Sequence, residues 1–166
     1  MQYQFSNADE LLNLCQKHKQ SLSEVVIAYE SEVAGISKEK IISKMAERIK
    51  VMQRSIKKGL EGKERSVSGL SGGDSSKLNK LIKNPRLAYS NPLMLKAMQK
   101  SLAITECNNS LGKIVACPTA GAAGIIPGCL LSVKEEEKIS DLNIIKAMFV
   151  VSGIGIIIAK NASLSG

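Results

Sequence analysis

Three stretches of this chain carry residue types and spacings that chemistry can use. Cys117 to Gly128 reads CPTAGAAGIIPG. Gly121, Gly124 and Gly128 permit backbone that a Cβ forbids, while Pro118 and Pro127 fix φ and remove two amide donors. Apolar runs lead in (Ile114 to Cys117) and out (Ile125 to Val133), so main-chain N–H groups can be brought against a small ligand in a buried place. A tight turn between two packed helices fits the same pattern. The second stretch, Ser68-Gly69-Leu70-Ser71-Gly72-Gly73-Asp74, runs straight into a helix expected over 75–83. A glycine-rich turn that opens a helix offers free N–H groups and a positive dipole end to a phosphate or a carboxylate. The Walker spacing with its Gly-Lys-Ser/Thr is absent, which argues against a nucleotide and leaves anion site and linker both open. In the third, Glu106 stands beside Asn108 and Asn109 near a helix end, where a polar site and a satisfied buried network are the alternatives.

The elements that must position these residues are helical. Asn7 caps a helix over 7–19 with Glu10 three places on, and Leu11, Leu14, Cys15 and His18 share one face. His18 on that apolar stripe is expected to be packed and hydrogen-bonded rather than catalytic. Ser21 with Glu24 opens a second helix, carrying Leu22, Val25, Val26, Tyr29 and Val33 and ending at Gly35. Ser37 caps a third, whose stripe is Ile41, Met45, Ile49, Met52 and Ile56 and which closes near Gly59. These form an expected three-helix layer over 1–60 that supports rather than reacts. Residues 61–166 are expected to hold the glycine-rich loops and the core helices. One spans about 93–111 with Leu95, Met98, Leu102 and Thr105 inward; one spans about 123–134; a last, buried core helix spans 140–160. No strand pattern competes, so the expectation is an all-α, multi-helix single domain over 1–166.

Composition narrows the function classes. The 166 residues suit one domain, and 44% hydrophobic with 3% aromatic and no Trp means an aliphatic core. The formal charge of +8 invites nucleic acid, but the lysines spread along helix faces and few aromatics can stack on bases, so no nucleic-acid partner is expected. Cys15, Cys107, Cys117 and Cys129 lie ten or more residues apart with no CxxC, and no second histidine joins His18, so no metal ligand is assigned. The polar N-terminus lacks a secretory pattern, and reduced thiols fit a cytoplasmic protein. The apolar run Ala147 to Ala159 is shorter than the roughly 20 residues of a membrane span. After Lys160 neither charge nor cap follows, so Gly166 reads as the cut edge of a larger core.

In order, SVSGLSGGD, ECNNSLG, CPTAGAAGIIPG and NASLSG resemble the α chain of iron–sulfur-dependent L-serine dehydratase (L-serine ammonia-lyase). The resemblance covers essentially the whole chain as an N-terminal portion, with a C-terminally truncated helical catalytic domain. It implies conversion of L-serine to pyruvate and ammonia with a [4Fe–4S] cluster, within amino-acid catabolism. It also implies a substrate site drawn from Ser71, Gly72, Gly73, Asp74, Asn108, Pro118, Thr119, Ala120, Gly121, Asn161 and Ser163. The catalytic base is not assigned. In the family the cluster cysteines lie downstream of the NASLSG-like motif, and none of the four cysteines here matches a family ligand. This chain alone is therefore expected to bind no cluster and to turn over no serine. The implied partners are a β chain or β-type domain and a small amino acid, with a homodimer left open. A related lyase acting on cysteine or threonine, and a non-catalytic helical assembly module, are the alternatives.

Overall fold

The computed structural model describes residues 1–84, 91–117 and 119–162. Among these it holds seven helices and no strand: α1 (Ala8–His18), α2 (Leu22–Ala34), α3 (Lys38–Leu60), α4 (Asp74–Ile82), α5 (Pro92–Asn109), α6 (Ile125–Glu136) and α7 (Asp141–Asn161). The all-α expectation holds. The chain divides into two compact units, and α3 contributes residues to each.

The first unit comprises Met1–Glu47 and Asp141–Gly166. Its helix starts follow from short polar side chains that satisfy first-turn amides. The Asn7 side chain accepts from the Glu10 amide at 2.9 Å, and the Glu10 carboxylate reaches back to the Ser6 amide at 2.6 Å. Ser21 and Glu24 form the full reciprocal box that opens α2, and Gly35 ends that helix at φ 63, a left-handed turn suited to glycine. α2 packs on both α1 and α7. Phe5, Val25, Val26 and Phe149 form its fully buried centre, each contributing about 1.5–3 kcal/mol of burial. Polar ties fix α7 in this unit: Ser152 Oγ to Glu30 Oε1 at 3.0 Å, and Lys160 Nζ to the Phe5 carbonyl at 2.6 Å. His18 packs its ring on Tyr3 at 4.8 Å, as its apolar stripe predicts. Its buried Nε2, however, has no hydrogen-bond partner among the described residues.

The reading of α7 as a buried core helix holds for one face only. Ile144, Met148, Phe149 and Gly153 are buried, whereas Ile154 and Ile158 are exposed. A helix that is apolar all round cannot cover its whole circumference against α2 alone. At 21 residues it is long and apolar enough to cross a membrane by length and composition, with 22% of the apolar window buried.

The second unit, Arg48–Ser140, is organised around α5, against which α4 and α6 both pack. From α3 it takes Ile49, Met52 and Ile56, all buried as their spacing predicts. The expected inner stripe of α5 is displaced around the helix. Met98 is exposed and Leu95, Leu102 and Thr105 are half-buried, while Gln99, Lys100, Ala103, Ile104, Glu106 and Cys107 face inward. The buried face is thus partly charged, and it is stable because those groups find partners far along the chain. The close approach of α6 to α5 depends on glycine. A Cβ at Gly124 would overlap the Ser101 carbonyl, and one at Gly128 would overlap the Ser101 hydroxyl. Pro127 falls in the first turn of α6, where its missing N–H would have no intrahelical acceptor in any case.

Candidate functional site

The first turn of α4 has orphan amides and no side-chain cap, since its N-cap is Gly73 at φ 83. The acceptor comes from α5. Glu106 Oε1 accepts the Asp74 amide at 2.5 Å and the Ser75 amide at 3.1 Å, while Oε2 accepts the Ser75 hydroxyl at 2.6 Å. The Gly59 carbonyl lies 3.0 Å from the same hydroxyl, and Gln99 Nε2 donates to the Ser75 carbonyl at 3.2 Å. Glu106 is 5% exposed, and the positive end of α4 offsets part of the desolvation of its carboxylate. The anion received at Asp74 and Ser75 is therefore the chain's own. Of the two alternatives for Glu106, the structure realises the satisfied buried network.

The rest of the loop is a compact turn tied to the end of α5. Ser66 N–H donates to the Ser71 carbonyl at 2.9 Å, and Ser71 N–H donates to Ser66 Oγ at 3.2 Å. Val67 N–H donates to the Asn109 carbonyl at 3.3 Å. Glu64 accepts the Ser110 hydroxyl and pairs with Lys58 at 3.3 Å. The Ser110 hydroxyl, aided by Lys58, holds the Glu64 carboxyl below the usual carboxylate range against the opposing effect of burial. Gly72, at φ 130, lies so close to the Glu64 carbonyl that a Cβ would overlap it, and Gly73 lies beside the Arg65 guanidinium. Arg65 itself is steered by the Gly62 and Glu64 carbonyls at 3.2 Å and 2.8 Å. Among the described residues the Gly72 and Gly73 amides meet no acceptor. Ser71 is exposed, and the Asp74 carboxylate pairs with Lys77 at 2.8 Å in solvent.

The second loop is built from consecutive tight turns. Cys117 N–H donates to the Thr119 carbonyl at 3.3 Å, and Ala122 N–H donates to Thr119 Oγ1 at 3.3 Å. Thr119, Ala120 and Gly121 are exposed, and a Cβ at Gly121 would meet nothing. A hydroxyl that accepts one bond keeps its own proton, so Thr119 can still donate. The loop leans on α5 through Gly124 at Ser101, five residues before Glu106, about 7.5 Å along the helix axis.

One unit thus holds Ser71 to Asp74, Thr119 to Gly121 and Asn108, which is half-buried in the last turn of α5. Asn161 belongs to the other unit, where its Nδ2 donates to the Ser6 and Ile157 carbonyls, both at 2.8 Å. Pro118 and Ser163 lie outside the described residues. Sequence reasoning missed Ser75, Gln99 and Arg65. Only Arg65 carried a local signal, as a cation within a glycine–serine run.

The donors present do not fit an iron–sulfur cluster. Among the described residues no three His, Cys, Asp or Glu side chains converge. Burial pushes the thiols of Cys15, Cys107 and Cys117 up, away from the thiolate that iron requires.

Fold and loops define a class: a chain that is helical among its described residues and hangs two glycine-rich loops on one central helix. The chain belongs to the serine dehydratase alpha chain family, whose model matches residues 17–166. It is 40% identical over 162 residues to a probable L-serine dehydratase alpha chain of Bacillus subtilis, covering 98% of this chain and 53% of that protein. It is 34% identical over 171 residues to an L-serine dehydratase of Helicobacter pylori, covering 99% of this chain and 36% of the relative. With the L-serine dehydratase alpha chain of Peptoniphilus asaccharolyticus, identity is 27% over 161 residues, 97% of this chain and 55% of that one. The chain spans about half the length of these alpha chains, and less of the Helicobacter protein. No solved structure matches it.

Proposed function

We propose that this chain supplies one wall of the substrate site of an L-serine ammonia-lyase, which eliminates the hydroxyl of L-serine to give pyruvate and ammonia. The observation that carries the reading is the pair of glycine-rich loops hung on α5 within one unit, in a chain of this family. The amides of Gly72 and Gly73, with Arg65 beside them, suit the carboxylate of a small amino acid. Glu106 supports that role by satisfying Asp74 and Ser75 internally, so that the first turn of α4 holds its shape without a ligand. The Thr119 hydroxyl, oriented by the Ala122 amide, has a proton to give to the same substrate. Asn108, Ala120 and Gly121 complete the proposed set in this unit, and Pro118, Asn161 and Ser163 are proposed from their motifs alone.

The [4Fe–4S] cluster of the complete enzyme, which would act as Lewis acid on the substrate, is proposed to be held by protein outside this chain. A β chain or β-type domain is the proposed partner, the cytoplasm the proposed compartment, and the isolated chain is proposed to be inactive. The test is kinetic. In the complete enzyme, Thr119→Val and Asp74→Ala raise KM or lower kcat about tenfold or more, and Thr119→Ser restores the hydroxyl and most of the rate. Wild-type kinetics in both of the first two variants would contradict the assignment.

A further inference from the structure

Outside the two loops, residues of α3, α5 and α6 line a solvent-open pocket of about 390 Å³. Ile56, Leu131 and Ile139 form its apolar wall, and Gln53, Lys100, Lys134, Glu135 and Lys138 line the rest. A volume of this order suits a small molecule. Three lysines against one glutamate make the lining net positive.

The deepest of these cations is Lys100, 6% exposed. Its Nζ pairs with Glu135 Oε2 at 2.6 Å and lies 3.3 Å from the Leu131 carbonyl. An ammonium has three N–H donors, so these two partners leave one that no acceptor among the described residues takes. A buried ammonium needs a firm counter-charge, and Glu135 is a poor fixed one because its side chain is 63% exposed. A second feature turns the same way. Lys138 follows the end of α6 in a left-handed conformation, φ 52, where Ile139 N–H closes back on the Lys134 carbonyl at 3.0 Å. Glycine or asparagine is the ordinary residue there. This chain carries a lysine there, as it does after α1 at Lys19 (φ 52), and Lys138 lines the pocket.

We infer that this pocket binds a small dianion of the phosphate class, with Lys100 as its buried anchor, Lys138 at its mouth, and Glu135 as the internal carboxylate that the ligand displaces. Lysines act as point charges, without the planar fork that selects carboxylates, and so suit a tetrahedral group. None of its lining residues belongs to the proposed substrate loops.

The test is a titration of the ¹⁵N-labelled full chain with inorganic phosphate, at ionic strength held constant with sodium chloride, followed by amide shifts. Saturable shifts centred on Lys100, Leu131, Lys138 and Ile139 are expected. Lys100→Met should weaken binding about tenfold, Lys138→Ala about threefold, and Glu135→Gln should tighten it about threefold by removing the competitor. Lys138 and Glu135 are exposed, so their variants decide the matter even if Lys100→Met fails to fold. Shifts that rise linearly and spread evenly over the lysines of α3 would overturn the proposal. So would an affinity unmoved by both Lys138→Ala and Glu135→Gln.

Discussion

The carboxylate of Glu106 holds both the backbone amide and the hydroxyl of Ser75, at 3.1 Å and 2.6 Å, across 31 residues of sequence. That contact closes the first turn of α4 onto α5 and fixes where the preceding glycines lie. Removing it leaves the Asp74 and Ser75 amides without an acceptor, while the Ser75 hydroxyl keeps the Gly59 carbonyl at 3.0 Å. Glu106→Ala should destabilise the chain by about 3 kcal/mol and Ser75→Ala by about 1–2 kcal/mol, read from urea midpoints. Amide exchange at Asp74 and Ser75 should quicken in Glu106→Ala. Unchanged exchange at both positions would show that the cap is not what holds the turn.

Gly124 and Gly121 stand three residues apart with opposite constraints. Gly124→Ala forces a Cβ into the Ser101 carbonyl and should cost about 1–3 kcal/mol. Gly121→Ala meets open space and should leave stability within about 0.5 kcal/mol of wild type. A loss of activity in Gly121→Ala of the complete enzyme would then report on the substrate loop and not on folding.

Acid should weaken the tie that Glu64 makes between the loop and the end of α5. The Ser110 hydroxyl, then Lys58, hold the Glu64 carboxyl below its ordinary value, so the unfolded chain binds that proton more readily. The associated stabilisation is complete above the unfolded value of about 4.3 and is lost as pH falls through the lower, folded one. Glu24, Glu39 and Glu136 are shifted the same way and contribute to the overall acid loss, so the informative quantity is a difference. Glu64→Gln should lose less stability than wild type between pH 5 and pH 3, in parallel urea titrations. Equal losses would mean that Glu64 is not coupled to folding.

Thiol reactivity should follow burial. Cys129 is exposed, whereas Cys107 is buried and its thiol is pushed up by that burial. Under native conditions a maleimide should modify Cys129 at least about tenfold faster than Cys107, by peptide mass mapping. Comparable rates would contradict the packing of Cys107 beneath Gly112.

What the sequence disclosed, and what it withheld, divides by range. Asn7, Ser21 and Gly35 act within a few residues of themselves, and the helix ends they announce are where they should be. The stripe of α3 was equally legible, because a 3.6-residue period needs no partner to be recognised. The inner face of α5 was not. Gln99 and Lys100 lie off the expected stripe, Glu106 was open between a polar site and a buried network, and only partners 24 to 32 residues away make their burial tolerable. The anion-ready turn before α4 and the glutamate beside two asparagines were each visible, but nothing local joined them. The loop around Thr119 was legible as a turn by its glycines and prolines, while its attachment to Ser101 was not.

If this chain forms part of the serine site of an ammonia-lyase, pyruvate formation depends on it. The chain is combined under anaerobic, iron- and sulfide-replete conditions with the remaining alpha-chain segment and the β chain of a relative, and pyruvate is measured from L-serine. Pyruvate is expected with the chain present and none when it is omitted, with a rate about tenfold or more lower when it carries Thr119→Val. Pyruvate formed equally well without the chain, or a rate untouched by Thr119→Val, would contradict it.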